Sequence, residues 1–241
     1  MKTITSRDNA FYKEIKGLAT SSQARRKAGH SLLDGVHLCQ TWLDLRGAPR
    51  HCVVSEGALG NPEVQAIVAR CGAVNAPVTA LPDALFNAVS QVEHGVHLLF
   101  VIDTPQPATA PALVMASVLL DGVQDPGNVG SILRSAAAAG IRQVYCSPGT
   151  AFCWSPKVLR AAMGAHFRFP VAEGSLDETA EKITQTPPVG HELFRLGVLT
   201  SKVPQFHLLA AGNPEPESVL ISPLYQITID PAIRRGAAAG D

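Results

Sequence analysis

Residues 119–140, LLDGVQDPGNVGSILRSAAAAG, decide how the rest of this chain is read. An apolar run from Val114 to Leu120, broken only by Ser117, has strand character. It enters a turn-rich loop, Asp121-Gly122-Val123-Gln124-Asp125-Pro126-Gly127. The loop delivers Asn128, a favoured N-cap residue, to a helix expected over Val129 to Ala139. Three- and four-residue spacing places Gly127, Gly130, Ser131, Arg134 and Ala138 on one face of that helix. A guanidinium standing among Gly, Ser and Ala, beside a loop with two glycines, leaves room for a large anionic partner.

Two nucleotide-binding loops fail on the residues. A P-loop needs Gly-x4-Gly-Lys-Ser/Thr; Gly122 and Gly127 have the spacing, but Asn128 stands where the lysine belongs. A dinucleotide fingerprint needs Gly-x-Gly-x-x-Gly, and only Gly127-x-x-Gly130 is present. On these residues alone, an ordinary strand–helix unit with a capped helix stays open beside an anion site.

The stretch resembles the first signature of the SpoU/TrmH family of RNA ribose methyltransferases, Asp-Pro-x-Asn-x-Gly-x-x-x-Arg-x-Ala. Here it reads Asp125-Pro126-Gly127-Asn128-Val129-Gly130-Ser131-Ile132-Leu133-Arg134-Ser135-Ala136, with no departure. A second block, Ser155-Pro156-Lys157-Val158-Leu159-Arg160-Ala161-Ala162-Met163-Gly164-Ala165, resembles the family's Ser-Pro-Lys-x-x-Arg-Ala-x-x-Gly-Ala segment. Upstream, Leu33-Asp34-Gly35-Val36-His37-Leu38 resembles the Leu-x-Gly-x-x-Leu motif of its ribosomal-protein-like substrate-binding domain. The family's closing blocks, Gly-Asn-Glu-Gly, Ile-Pro-Met and Ser-Leu-Asn, have only echoes: Gly212-Asn213-Pro214-Glu215 and Ile227-Thr228-Ile229-Asp230-Pro231, with no Ser-Leu-Asn.

The resemblance implies an α/β protein with a small N-terminal α/β substrate-binding domain. A mostly parallel-sheet SPOUT-like domain of the trefoil-knot type would follow. The expected division is residues 1–103 for RNA binding, 104–112 as linker and 113–241 as methyltransferase domain, with 189–241 atypical. The linker, TPQPATAP at 104–111, holds three prolines and no large apolar residue. Strand- and helix-like segments alternate on both sides of it, as a sheet covered by helices requires.

Composition fits this outline. The chain is 46% hydrophobic over 241 residues, ample for packed cores. It has no apolar run near the ~20 residues that cross a bilayer and no signal-peptide core at its start. A cytoplasmic protein without a membrane partner is expected. Cys39, Cys52, Cys71, Cys146 and Cys153 form no Cys-x-x-Cys pair or Cys/His ligand spacing, so no metal is expected. Zero net charge hides an asymmetry: within residues 1–30, Lys2, Arg7, Lys13, Lys16, Arg25, Arg26 and Lys27 face only Asp8 and Glu14. That excess reads either as a phosphate-contact surface or as a solvated helix face.

The resemblance also assigns roles. Arg134 becomes the catalytic candidate, binding an adjacent phosphate and stabilising oxyanion character on a ribose 2′-oxygen. A guanidinium has donors and no acceptor, so positioning or charge stabilisation suits it better than proton abstraction. Asn128 would organise the site by hydrogen bonds. Gly212 and Ile229 are the candidates for holding S-adenosylmethionine. Arg7, Lys13, Lys16, Arg25, Arg26, Lys27 and Arg160 are the candidates for contacting ribosomal or transfer RNA; a surface or inter-subunit role for Arg160 stays open. A homodimer is implied, because family sites take residues from both subunits. The rival expectation is a non-catalytic RNA-binding relative that has lost the cofactor pocket.

Overall fold

The computed structural model describes residues 1–92, 95–106, 117–141 and 143–174, with four further strands, as backbone, between 196 and 229. Two compact units emerge. The first joins residues 1–105 to 152–167; the second joins 106–151 to 168–241. The Ser155-Pro156-Lys157 block thus packs with the N-terminal elements, although it follows the linker in sequence.

In the first unit, β1 (Lys2–Thr3), β2 (His30–Asp34), β3 (His51–Ser55), β4 (Val78–Leu81) and β5 (Leu98–Asp103) form a sheet in the order β1-β4-β3-β5-β2. β1, β4 and β3 run parallel, whereas β5 is antiparallel to both β3 and β2. Helix α1 (Ala10–Thr20) lays Tyr12, Ile15 and Leu18 against Leu32, Val53, Leu99 and Val101. Period-two alternation turns Leu33, Cys52, Val54 and Phe100, all buried, to the other face. There α3 (Val36–Leu45) and α4 (Pro62–Ala73) bury Leu38, Cys39, Leu43, Val64, Ile67 and Cys71. Each such side chain contributes about 1.5–3 kcal/mol of burial. The short α5 (Asp83–Asn87) adds Leu85 and Phe86 to the α1 side.

The basic N-terminal stretch is not one helix. Ser21 adopts extended backbone and its hydroxyl accepts the Ala24 N–H at 3.1 Å, so α2 (Ser22–Ala28) starts afresh. Gly29, at φ +65°, stops it in the left-handed conformation that favours glycine. The N-caps Asn9 and Asn61 hold α1 and α4, the latter with Pro62 in its first turn.

The second block forms α7 (Pro156–Ala162), capped by the Ser155 hydroxyl on the Val158 N–H and closed by Met163 at φ +52°. Gly164 follows at φ +72°, where a Cβ would sit 2.9 Å from the Phe167 ring. No larger residue fits, which explains the glycine of this motif. Beyond it, Trp154 and Phe167 stack, and the Trp42 ring meets both nearly edge-on, at 6.5 and 5.2 Å between centroids. Trp42 is on α3, so this aromatic group fastens residues 152–167 to the N-terminal elements. Arg46 seals it by donating from Nε to the Phe167 carbonyl at 2.8 Å.

In the second unit, β6 (Ser117–Asp121), β7 (Gln143–Cys146) and β8 (Val171–Glu173) lie beside β9 (Leu196–Thr200), β10 (Gln205–Leu209), β11 (Glu217–Ser222) and β12 (Tyr225–Ile229). Their order is β11-β12-β10-β9-β6-β7-β8. The β9-β6-β7-β8 side is wholly parallel, while β10 is antiparallel to β9 and β11 to β12. The expected mostly parallel sheet is present. Helix α6 (Pro126–Ala138) follows β6 and buries Val129, Leu133 and Ala136. The crossings that would tie a knot and the chain end lie outside the described residues.

Candidate functional site

The helix after β6 begins earlier than the sequence reading placed it. Asp125, not Asn128, is the N-cap: its carboxylate accepts the Asn128 N–H at 2.7 Å, and Pro126 presets the first helical φ. Asp125-Pro126 was the available signal, since a capping residue followed by proline opens many helices. Gly127 suits the position beside it, because a Cβ there would sit 3.0 Å from the capping carboxylate and press on it. Asn128 is therefore a first-turn residue with an exposed side chain.

The expected face holds, with one exception. Gly127, Ser131, Arg134 and Ala138 are exposed, whereas Gly130 is buried. Asn128 and Ser135 border the same exposed side. Asp121 and Asp125, the carboxylates that could have taken Arg134 in a structural ion pair, are engaged elsewhere. Asp125 caps the helix, and Asp121 accepts from the Ser147 hydroxyl at 2.8 Å. Among the described residues no ion pair reaches Arg134.

A hydrogen-bonded collar surrounds the carboxyl ends of β6 and β7, which sequence reading missed. The Ser147 hydroxyl bonds to Asp121 and accepts the Gly122 N–H, each at 2.8 Å. Thr150 donates to the Leu120 carbonyl at 2.9 Å, and the Ala151 N–H to the Val123 carbonyl at 2.8 Å. Gly122 (φ +59°) and Gly149 (φ +91°) bring the two loops together, a Cβ on Gly149 falling 4.0 Å from the Gly122 Cα. Open parallel sheets bind ligands outside such strand ends. Glycines at two positions of this polar rim leave room for a flat, polar-edged group such as a purine nucleoside.

The two cofactor candidates fare differently from Arg134. Gly212 lies outside the described residues. Ile229 pairs with Leu208, which pairs with Gly197, which pairs with Val118. Because β10 reverses direction, that register puts Ile229 level with the start of β6 rather than with its carboxyl end at Asp121. Register therefore separates Ile229 from the strand ends beside α6.

The RNA candidates divide as well. Arg7, Lys16 and Lys27 are exposed, and Lys13 pairs with Asp8 at 3.0 Å on the surface. Arg26 is exposed with its guanidinium 4.6 Å from the Phe152 ring centre, a cation–π contact between α2 and the stretch before α7. Arg25 is corrected: it is buried, and its guanidinium donates to the Leu18 carbonyl at 2.6 Å. Burial, then neighbouring Arg26, lowers its pKa from the usual arginine value. It braces the α1–α2 junction instead of facing a ligand. Arg160 is half-buried and donates to the Gln91 side chain at 3.4 Å.

Comparison with known proteins identifies the family. The model of the SpoU rRNA Methylase family matches residues 115–206. The 23S rRNA (guanosine(2553)-2'-O)-methyltransferase RlmP of Bacillus subtilis is 31% identical over 183 residues, 76% of this chain and 69% of that one. The chain belongs to the SpoU rRNA methylase family. An rRNA methyltransferase from Sinorhizobium meliloti has the same fold, with a TM-score of 0.68 at 22% identity over 83% of this chain and 81% of its own. A second structure from that organism, an AdoMet-bound rRNA methyltransferase, gives 0.64 at 24% identity, covering 75% and 67%. The SpoU match spans β6, α6, β7, α7 and β9, so the candidate site lies within it.

Among the described residues no group of His, Cys, Asp or Glu is placed to hold a metal ion, and no helix is long and apolar enough to cross a membrane.

Proposed function

We propose that this chain is an RNA 2′-O-ribose methyltransferase that uses S-adenosylmethionine and acts on ribosomal RNA. The observation that carries the reading is Arg134: exposed, outside any ion pair among the described residues, on the helix that opens from the carboxyl end of β6. S-adenosylmethionine supplies an electrophilic methyl group when bound. The Gly122 and Gly149 loops at the strand ends are the described residues best suited to hold its nucleoside. Arg134 would grip the phosphate beside the target ribose, and its positive charge would favour loss of the 2′-hydroxyl proton to water as the O–C bond forms, the methyl–sulfur bond breaks and the neutral thioether leaves. Asn128, on the same exposed side, would orient that phosphate or ribose by hydrogen bonding. Methyl transfer from a sulfonium needs no metal, and we propose a metal-independent cytoplasmic enzyme that works as a homodimer.

The test is methyl transfer from radiolabelled S-adenosylmethionine to an unmodified 23S rRNA transcript, with alkaline hydrolysis of the product. A label that resists hydrolysis at one internucleotide bond is the expected result, because a methylated 2′-oxygen cannot attack its phosphate. RNA binding without transfer, together with calorimetry showing no S-adenosylmethionine uptake, would establish the non-catalytic relative instead.

The basic N-terminal surface makes its own prediction. Arg26→Ala with Lys27→Ala should weaken RNA binding and flatten its dependence on salt, the logarithmic slope falling by about 0.7 for each phosphate no longer neutralised. Filter binding at several salt concentrations checks this. An unchanged slope would remove α2 from the RNA surface. Arg25→Ala should instead lower the unfolding temperature, since it leaves the Leu18 carbonyl unpaired.

A further inference from the structure

Gln91 stands at the junction of three elements that are far apart in sequence. Its side-chain Nε2 donates to the Ala19 carbonyl at the end of α1, at 2.6 Å. Its backbone N–H donates to Asp34 Oδ2 at 2.8 Å. Its Oε1 accepts from Arg160 of α7 at 3.4 Å. Asp34 belongs to the Leu33-Asp34-Gly35 motif, and the Ser90 hydroxyl lies 3.0 and 3.2 Å from its two oxygens. Burial pushes the Asp34 carboxyl above its usual range, while the Gln91 N–H, the Ser90 hydroxyl and the charges of Arg160 and His97 pull it back. Gly35, at φ +107°, joins β2 to α3 within that motif in a conformation open to glycine.

The amide has one workable orientation. Flipped, it would set Oε1 against the Ala19 carbonyl, two acceptors together, and its NH2 against the Arg160 donors. Unflipped, its donor side is anchored and its acceptor side is offered to Arg160. A guanidinium has five N–H donors. One is spent on Gln91, which leaves the rest of the fork for a phosphate while its position is fixed from the N-terminal sheet.

We propose that Gln91 is a positioning residue for Arg160, its anchored amide setting where that guanidinium meets the RNA backbone. The inference rests on the methyltransferase reading above. It adds a link between the Leu33-Asp34-Gly35 motif and the second family block. Gln91 touches no reacting atom; its effect runs through Arg160.

The test is a double-mutant cycle on the full chain with Gln91→Ala, Arg160→Ala and the pair, using unmodified 23S rRNA transcript and S-adenosylmethionine. Gln91→Ala should raise KM for RNA by about 3- to 10-fold, with a much smaller fall in kcat. Adding it to Arg160→Ala should cost little more than Arg160→Ala alone, because both changes break the same hydrogen bond. The Gln91→Ala salt slope of RNA binding should shift toward that of Arg160→Ala. Additive effects, or a lowered unfolding temperature with KM unchanged, would overturn the inference and leave Gln91 a structural tie. Those outcomes need an active wild type. A wild type that neither binds the transcript nor transfers methyl would overturn the methyltransferase reading, and the inference with it.

Discussion

Arg134→Ala should lower methyl-transfer turnover by about 10²-fold or more, the scale seen when one pre-placed electrostatic donor is removed from a reaction centre. The expectation follows from where the side chain stands. Arg134 lies on the exposed side of α6, so its removal leaves no cavity, and no described carboxylate is left without its cation. The unfolding temperature should therefore stay within the small range of surface substitutions. Arg134→Lys keeps the charge but loses the planar fork, and should recover only part of the rate. Single-turnover kinetics would separate this from weaker RNA binding, since an interaction made in the transition state, once removed, lowers kcat and kcat/KM together. A variant turning over at the wild-type rate would remove Arg134 from the mechanism.

The site was more legible in the sequence than its surroundings. Asp125 to Ala136 form one local unit, strand end, cap and helix, and residues close along the chain determine its geometry. Even there the cap was misplaced by three positions, because Asn128 and Asp125 are both good capping residues and Pro126 decides between them. Val78–Leu81 and His51–Ser55 form strands because short β-rich runs between turn residues have little alternative. The helix that follows Pro82 runs only over Asp83–Asn87, because Ser90 and Gln91 bind Asp34 instead. What the sequence could not reveal is non-local. Nothing in the local pattern around Arg25 distinguishes it from Arg26, yet the turn at Ser21 folds one inward and leaves the other on Phe152. The packing of residues 152–167 onto α3 likewise depends on Trp42, over a hundred residues away, meeting Trp154 and Phe167.

That aromatic group should make the first unit sensitive to acid. His166 is fully buried, and neither ring nitrogen has a hydrogen-bond partner among the described residues. Its ring meets Trp154 at 4.7 Å and Phe167 at 5.4 Å between centroids. Burial, with the Arg46 charge beside it, lowers its pKa from 6.5 to about 3. A histidine lowered on folding is neutral in the native state and takes up a proton on unfolding. Its stabilising share is complete above pH 6.5 and is lost as the pH falls from there toward about 3. Within that window each pH unit removes about 1.4 kcal/mol. Denaturant unfolding followed by tryptophan fluorescence reports the unit directly, because Trp42 and Trp154 both lie in the cluster. His166→Phe keeps an aromatic ring and removes two unpaired nitrogens, so it should be at least as stable at neutral pH and lose much of the acid slope. Asp34 works in the opposite direction, since its raised carboxyl pKa favours the folded state as acid neutralises it. Comparing the two proteins cancels that contribution. Equal slopes for wild type and His166→Phe between pH 6.5 and about 4 would show that the imidazole is not the acid-sensitive group.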